Sequence, residues 1–266
     1  MKYALVNREK VEAIKGAKGL CPLCGSEVAA YCGEVYANHW KHRGNRNCDK
    51  WWEPETKWHL SWKDKFPKNW QEVIHEDENT GEKHIADVKT NGDWVLEFQH
   101  SLIKPEERRA RNAFYPKLVW VIDGLRRERD ITQFQNALDE STLVGKEHGI
   151  RQILFSEDCK LINEWGESKS LVFFDFHGLE ATNQSQMWFL FPKLSATGIY
   201  IAPFSWARFI EMHNENKFDN FFNNVIKPYC AELAKYEQQK RQNIQRRVII
   251  SRQPRRIVPR HRNRRL

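Results

Sequence analysis

The chain has 266 residues, 40% of them hydrophobic and 12% aromatic, which excludes global disorder and provides for one large core, or for a catalytic domain with a small satellite. No apolar run is long enough to cross a membrane and the N-terminus lacks a signal-peptide apolar core, so a cytoplasmic location is expected. The net charge of +8 is unevenly placed: residues 240–266 hold eleven Lys or Arg and no acid, leaving 32 basic against 35 acidic residues in the body, so uniform basicity cannot be the ground for nucleic-acid affinity.

Residues 1–6 read as an initial strand. Residues 20–49 are rich in Gly, Asn and Cys and read as a small metal-stapled module. Residues 51–66 carry good helix formers, with Pro54 in the first turn and Pro67 beyond the end. Strand patterns follow at 70–76, 83–89 and 94–99, the last two joined by the turn Thr90-Asn91-Gly92-Asp93. A helix is predicted over 104–115 and a strand over 118–122, whose continuous apolar run calls for cover on both faces. Further strands are expected at 151–155, 171–176 and 187–191, in a second packing layer or a second small domain. Residues 209–247 read as mainly helical with a break near Pro228. Pro254 and Pro259 among the closing arginines favour an extended or disordered end. There is no internal repeat. The fold class is α/β: a mixed sheet flanked by helices, with a small N-terminal zinc-binding module and an α+β C-terminal extension. The expected divisions are 1–49, 50–125, 126–239 and a basic tail, 240–266.

Six cysteines in a chain with this much core need no disulfide framework, and Cys159 and Cys230 read as reduced structural thiols. Cys21-Pro-Leu-Cys24 places two thiolates on a tight knuckle, and His39-Trp-Lys-His42 supplies two imidazoles after fourteen intervening residues. Sulfur and nitrogen donors in a filled tetrahedral set suit structural zinc. Cys32 and Cys48 lie near enough for either to replace a histidine. Thiol exchange and a fold clip that never touches nucleic acid are the alternatives. Lys41, Arg43 and Arg46 meet phosphates or form an ordinary solvated face.

Asp87 and Glu97 stand inside otherwise apolar strands, where two neighbouring strands can hold carboxylates around one magnesium ion (or manganese) for phosphodiester hydrolysis. Gln99 falls on the same strand face as Glu97 by alternation and is placed to orient water or contact phosphate. Glu55, His59 and Lys63 recur every four residues, offering a further ligand, a proton shuttle or phosphate contact, and a positive charge. The next helix carries Arg108, Arg109 and Arg111, of which at least one should face the cleft, with Arg108 or Arg109 the expected phosphate contact. Read blandly, these are hairpin acids and an exposed helical stripe.

Taken in order, Cys21-Pro-Leu-Cys24, His39-Trp-Lys-His42, Glu55-x-x-x-His59-x-x-x-Lys63, Asp87 and Glu97-x-Gln99-x-Ser101, with Arg108 or Arg109 and Tyr115, resemble the competence protein CoiA-like family over roughly the first half of the chain. The resemblance implies a restriction-endonuclease-like fold of the PD-(D/E)xK nuclease group, with Asp87 and Glu97 as the acidic ligands and Gln99 where that group usually has lysine. It also implies DNA processing in uptake, recombination or defence, with DNA and recombination or defence proteins as partners. The reading is a magnesium-dependent DNA endonuclease; the alternatives are a non-catalytic nucleic-acid-binding recombination accessory protein and an RNA endonuclease.

Overall fold

The computed structural model of the chain describes residues 1–33, 38–43, 48–53, 55–193 and 198–252, the last six as backbone alone. Arg46, Pro54, Pro254 and Pro259, with the closing arginines beyond Arg252, lie outside the described residues. The N-terminal part is a five-stranded antiparallel sheet of β1 (Tyr3–Val6), β2 (Glu9–Glu12), β3 (Lys18–Leu20), β4 (Glu27–Tyr31) and β5 (His39–His42), ordered β2-β1-β3-β4-β5. Asn7 and Arg8, both at positive φ, turn β1 into β2.

The rest builds one nine-stranded mixed sheet. Its strands are β6 (Gln71–Glu76), β7 (Lys83–Lys89), β8 (Val95–Gln99), β9 (Leu118–Asp123), β10 (Thr142–Gly145), β11 (Ile150–Ile153), β12 (Leu171–Asp175), β13 (Gln186–Leu190) and β14 (Ile199–Ser205), ordered β10-β11-β14-β13-β12-β9-β8-β7-β6. β8, β9 and β12 run parallel, and the remaining pairs are antiparallel. The helices are α1 (Lys57–Lys63), α2 (Pro105–Phe114), α3 (Asp130–Asp139), α4 (Lys160–Trp165), α5 (Trp206–Asn214), α6 (Phe218–Phe221) and α7 (Lys227–Arg252), with a π-helical turn, Phe222–Ile226, between the last two. None of them, among the described residues, is long and apolar enough to cross a membrane.

β9 is buried along its whole length because both faces are covered. Val119 and Val121 join Trp58, Trp62, Phe98, Phe173 and Phe209 in one core, while Leu118, Trp120 and Ile122 join Phe134, Leu161, Trp165 and Phe174 in the other. Strands contributed by residues 142–205 thus extend the sheet that carries Asp87 and Glu97.

Three expected elements differ. The first helix starts at Lys57, capped by the Thr56 hydroxyl, because residues 49–53 are instead held in turns by the Asp49 carboxylate, which accepts from Trp51 N–H at 2.9 Å. The C-terminal helix breaks at residues 215–217, where Asn216 takes φ +55°. Pro228 lies just beyond the π-helical turn Phe222–Ile226, the irregularity expected near it, whose wider turn accommodates a ring and a missing N–H within a continuous helical stretch. β14 is a strand in a stretch for which no element was expected: its Ile-Tyr-Ile-Ala-Pro-Phe run pairs along β13, with Pro203 opposite Trp188.

His213 is buried in the first core, stacked on Phe218 at 3.9 Å, with no hydrogen bond to either ring nitrogen. Burial drives it down to about 3. An unfolded chain protonates this histidine near its ordinary value while the folded one keeps it neutral, so between those limits the unfolded state binds more protons. Stability is therefore expected to fall by a few kcal/mol as pH drops from about 6.5 toward 3. In urea unfolding, His213→Leu should flatten that slope and leave stability near neutrality little changed.

Candidate functional site

The Cys21–Cys24 knuckle closes through Gly25, which takes φ +69° and donates its N–H to Cys21 O at 2.9 Å. Cys21, Cys24, His42 and Cys48 bring their ligand atoms within 4.8 Å of one another. Cys24 Sγ lies 3.3 Å from His42 Nε2, and Cys21 Sγ 3.6 Å from Cys48 Sγ, near the edges of a tetrahedron drawn with Zn–S and Zn–N bonds of about 2.3 and 2.0 Å. Burial raises the Cys24 thiol, but hydrogen bonds with Ser26 and His42 outweigh it and bring it down to about 6. The donor set of three sulfurs and one imidazole suits structural zinc. His39 is the correction: its ring stacks on Tyr31 at 5.8 Å, and Cys48 takes the expected fourth place. Alternation explains this, because His39 and His42, three apart on β5, face opposite sides of the strand.

The second site lies where β6, β7 and β8 run side by side. Gln71 pairs Val88 and Val73 pairs Ala86, so Glu72 stands beside Asp87; Val88 pairs Leu96, and continuing that register sets Asp87 opposite Glu97. Asp87 Oδ2 accepts the Phe98 N–H at 3.0 Å, a side chain standing in for a ladder carbonyl where the strands part. Lys63, 2% exposed, reaches in from α1 to 3.0 Å from Asp87 Oδ1, 3.1 Å from Glu55 Oε1 and 3.2 Å from Glu72 Oε1. Burial opposes each of these charges. The Lys63 ammonium, followed by His59, nonetheless holds Asp87 low, and the same ammonium with the Met1 amine holds Glu55 at about 2. Glu72 is raised, burial and the Glu55 charge outweighing Lys63.

Glu97 is the exception among them. Burial and then the Asp87 charge push it up to about 8, although Arg111 Nη1 donates to Glu97 Oε2 at 2.7 Å. Its other oxygen, Oε1, is buried with no partner, as is Glu55 Oε2. Both residues, with Asp87, His59, Lys63, Glu72, Gln99 and Arg111, line a cavity of about 60 Å³, space for a few waters or a hydrated cation. Gln99 is pinned at its wall, donating to Glu53 Oε1 at 2.7 Å and Ser101 O at 3.1 Å. His59 Nδ1 lies 3.1 Å from Thr56 Oγ1.

The predicted residues therefore divide. Asp87, Glu97, Gln99, Glu55, His59 and Lys63 share one cavity, although Glu55 precedes α1 and is not part of a helical stripe. Arg108 faces away, donating to Glu164 O with its guanidinium 4.8 Å over Trp165, and Arg109 pairs with exposed Glu106. Lys41 sits over the Tyr31 ring at 5.8 Å, and Arg43 pairs with Glu27, both on the small sheet side. Glu72 is the residue that sequence reasoning misses, and of the three arginines on α2 it is Arg111, not Arg108 or Arg109, that reaches the cavity. The signal for Arg111 was its spacing from Glu107, four residues before, which accepts from its Nε at 3.1 Å. Among the described residues, the Cys/His cluster is the one group of three or more such donors gathered within 4.8 Å; the cavity acids collect around Lys63 instead.

No protein-family model matches the chain, and no solved structure matches it. Competence protein CoiA of Bacillus subtilis (strain 168) is 33% identical over 61 residues, which is 23% of this chain. The aligned segment spans 16% of that protein's length.

Two outcomes follow from this geometry. By elemental analysis, Cys48→Ser should lose the zinc equivalent that His39→Ala retains. Lys63→Met leaves its buried carboxylates uncompensated and should lower unfolding free energy by about 3–5 kcal/mol, with part regained when Glu72→Gln is added.

Proposed function

We propose that the chain is a magnesium-dependent DNA endonuclease with a restriction-endonuclease-like catalytic core of the CoiA-like kind. One observation carries the reading: two buried carboxylate oxygens without partners, Glu97 Oε1 and Glu55 Oε2, line the same cavity as Asp87. An unpaired buried carboxylate is costly, and a hard cation is the partner that oxygen donors of this kind accept. Magnesium, or manganese in its place, supplies the charge that polarises a scissile phosphate and acidifies an attacking water.

Asp87 and Glu97 hold the cation, assisted by Glu55. Lys63 supplies the fixed positive charge that Gln99 cannot, and both orient water or phosphate beside Asp87. Arg111 fixes the Glu97 carboxylate through one oxygen and leaves the other without a partner. His59 takes part through its place on the cavity wall. The zinc module, residues 1–49, anchors the entrance to the core, 50–125, and guides DNA with Lys41 and Arg43. Residues 126–239 complete the sheet, and the basic segment 240–266 raises local DNA concentration without reading bases. DNA processing in uptake, recombination or defence, with protein partners from those pathways, is carried from the likeness to CoiA.

A second reading is favoured by the gathering of acids on Lys63, which neutralises them with no metal at all: a nucleic-acid-binding accessory protein on a nuclease scaffold. Incubation with magnesium and single-stranded, duplex and branched DNA, alongside matched RNA, separates the readings. Cleavage of DNA is expected. A folded Glu97→Ala protein should lose more than about 100-fold, beyond the loss typical of removing an outer-shell partner. Salt-sensitive binding with every substrate left intact would support the accessory reading, and selective cutting of RNA would reassign the polymer.

A further inference from the structure

The carboxyl ends of β8 and β9 carry a second ionisable pair. His100 directly follows β8 and Asp123 ends β9; the strands run parallel with Gln99 opposite Ile122, so both side chains emerge at the same edge. His100 Nδ1 lies 2.7 Å from Asp123 Oδ2, and Asp123 Oδ1 accepts the Leu125 N–H at 2.8 Å. Asp123 is buried, and both oxygens are committed as acceptors. The imidazole therefore donates from Nδ1 and keeps Nε2 for exchange with what lies before it, on a ring 38% exposed.

His100 does not itself line the cavity but neighbours two residues that do. His59, on the cavity wall, has its ring 6.3 Å from His100, the Trp58 ring is also 6.3 Å away, and Gln99 on the wall is the preceding residue. The titratable and charged groups around it are Asp123 from β9, His59 from α1, and Arg126 from the turn after β9, which donates to Ser101 O at 2.9 Å. A carboxylate that fixes one nitrogen and leaves the other uncommitted, one residue from Gln99 on the cavity wall, is the arrangement of a positioned proton donor.

We propose that His100, oriented by Asp123, protonates the oxygen that leaves phosphorus at the Asp87–Glu97 centre, an inference that rests on the hydrolase reading above. A water oxygen bonds to phosphorus as the bond to the departing sugar oxygen breaks. That oxygen takes the bonding electron pair and the Nε2 proton. The proton given up by water restores the imidazolium, directly through His59 or through solvent.

The test uses DNA in which sulfur replaces one or the other bridging oxygen at a single phosphodiester, because a thiolate leaves without a proton. On all-oxygen DNA with magnesium, His100→Ala should lose about 10²–10⁴-fold in kcat. On the sulfur-bridged strand that is cut at the same bond, it should come within about 10-fold of the unaltered protein. Asp123→Asn is a positioning variant: it loosens the hold on Nδ1, so it should lower kcat on all-oxygen DNA and regain most of that loss on the sulfur-bridged strand, which a merely structural defect would not. His100→Gln, retaining bulk and polarity, should share the alanine defect. An equal loss on oxygen and sulfur substrates, or no loss, overturns the proposal while leaving the nuclease reading intact. If the unaltered protein cuts none of these substrates, both fall together.

Discussion

Three carboxylates from separate segments, two of them buried and Asp87 partly so, meet the Lys63 ammonium at 3.0–3.2 Å, and the cleft exists in this form because of that convergence. Each carboxylate would cost several kcal/mol to bury alone, and together they repel. Lys63 offsets both effects, and its own burial is opposed by Asp87, Glu55 and Glu72, which raise it well above its ordinary value. The contacts tie α1 to β6 and β7 and fix the segment that leads in from the metal module. Glu97 stands outside this shell. It is the acid that burial and the Asp87 charge push up, against the opposing contact from Arg111.

The small sheet is bound into the same arrangement from two directions. Glu72 takes φ +47°, an unfavourable left-handed conformation for a long side chain, and its carboxylate accepts the Lys2 N–H at 2.6 Å and the Tyr3 N–H at 2.9 Å. One carboxylate thus joins β1 to the cluster around Lys63. From the other direction, Cys48 of the metal group is followed by Asp49, which accepts the Ile85 N–H at 2.9 Å and lies 2.7 Å from His84 Nδ1. Trp51 then stacks on His84, and its carbonyl accepts from Arg111 at 2.7 Å. A cation held by the sulfurs therefore fixes the start of the chain segment that delivers Glu53 and Glu55.

Local pattern made part of this legible. Asp87 and Glu97 stand out because a charged residue interrupts an apolar strand, and the strands at 83–89, 95–99 and 118–123 follow directly from alternation and apolar runs. Glu72 was hidden because its strand carries polar and charged residues on both faces, so burial comes from the small sheet packed above it. Arg111 was hidden among three arginines on one helix, and a difference of two or three residues turns a side chain to another face of a helix. Cys48 was weighed against two histidines whose spacing looked regular; the strand geometry of β5, with a two-residue alternation, was what that spacing could not express. α3, α4 and β14 escaped because their placement depends on partners distant in sequence.

The C-terminal half supports the site by a contact that no motif announces. Asp175, fully buried at the end of β12, accepts from Trp58 Nε1 at 3.1 Å and Trp62 Nε1 at 3.0 Å, both on α1, while its other oxygen accepts the His177 N–H at 2.9 Å. α1 is only seven residues long and cannot hold its position by its own hydrogen bonds. Its tryptophans are instead packed against Phe98, Trp206 and Phe209 and fastened to Asp175. Because α1 also carries His59 and Lys63, the charge balance around Asp87 depends on a carboxylate 88 positions farther along the chain. The parallel placement of β12 beside β9 is what brings that carboxylate to the same edge as Asp123, so the strands of the C-terminal half set the helix that completes the acidic cleft.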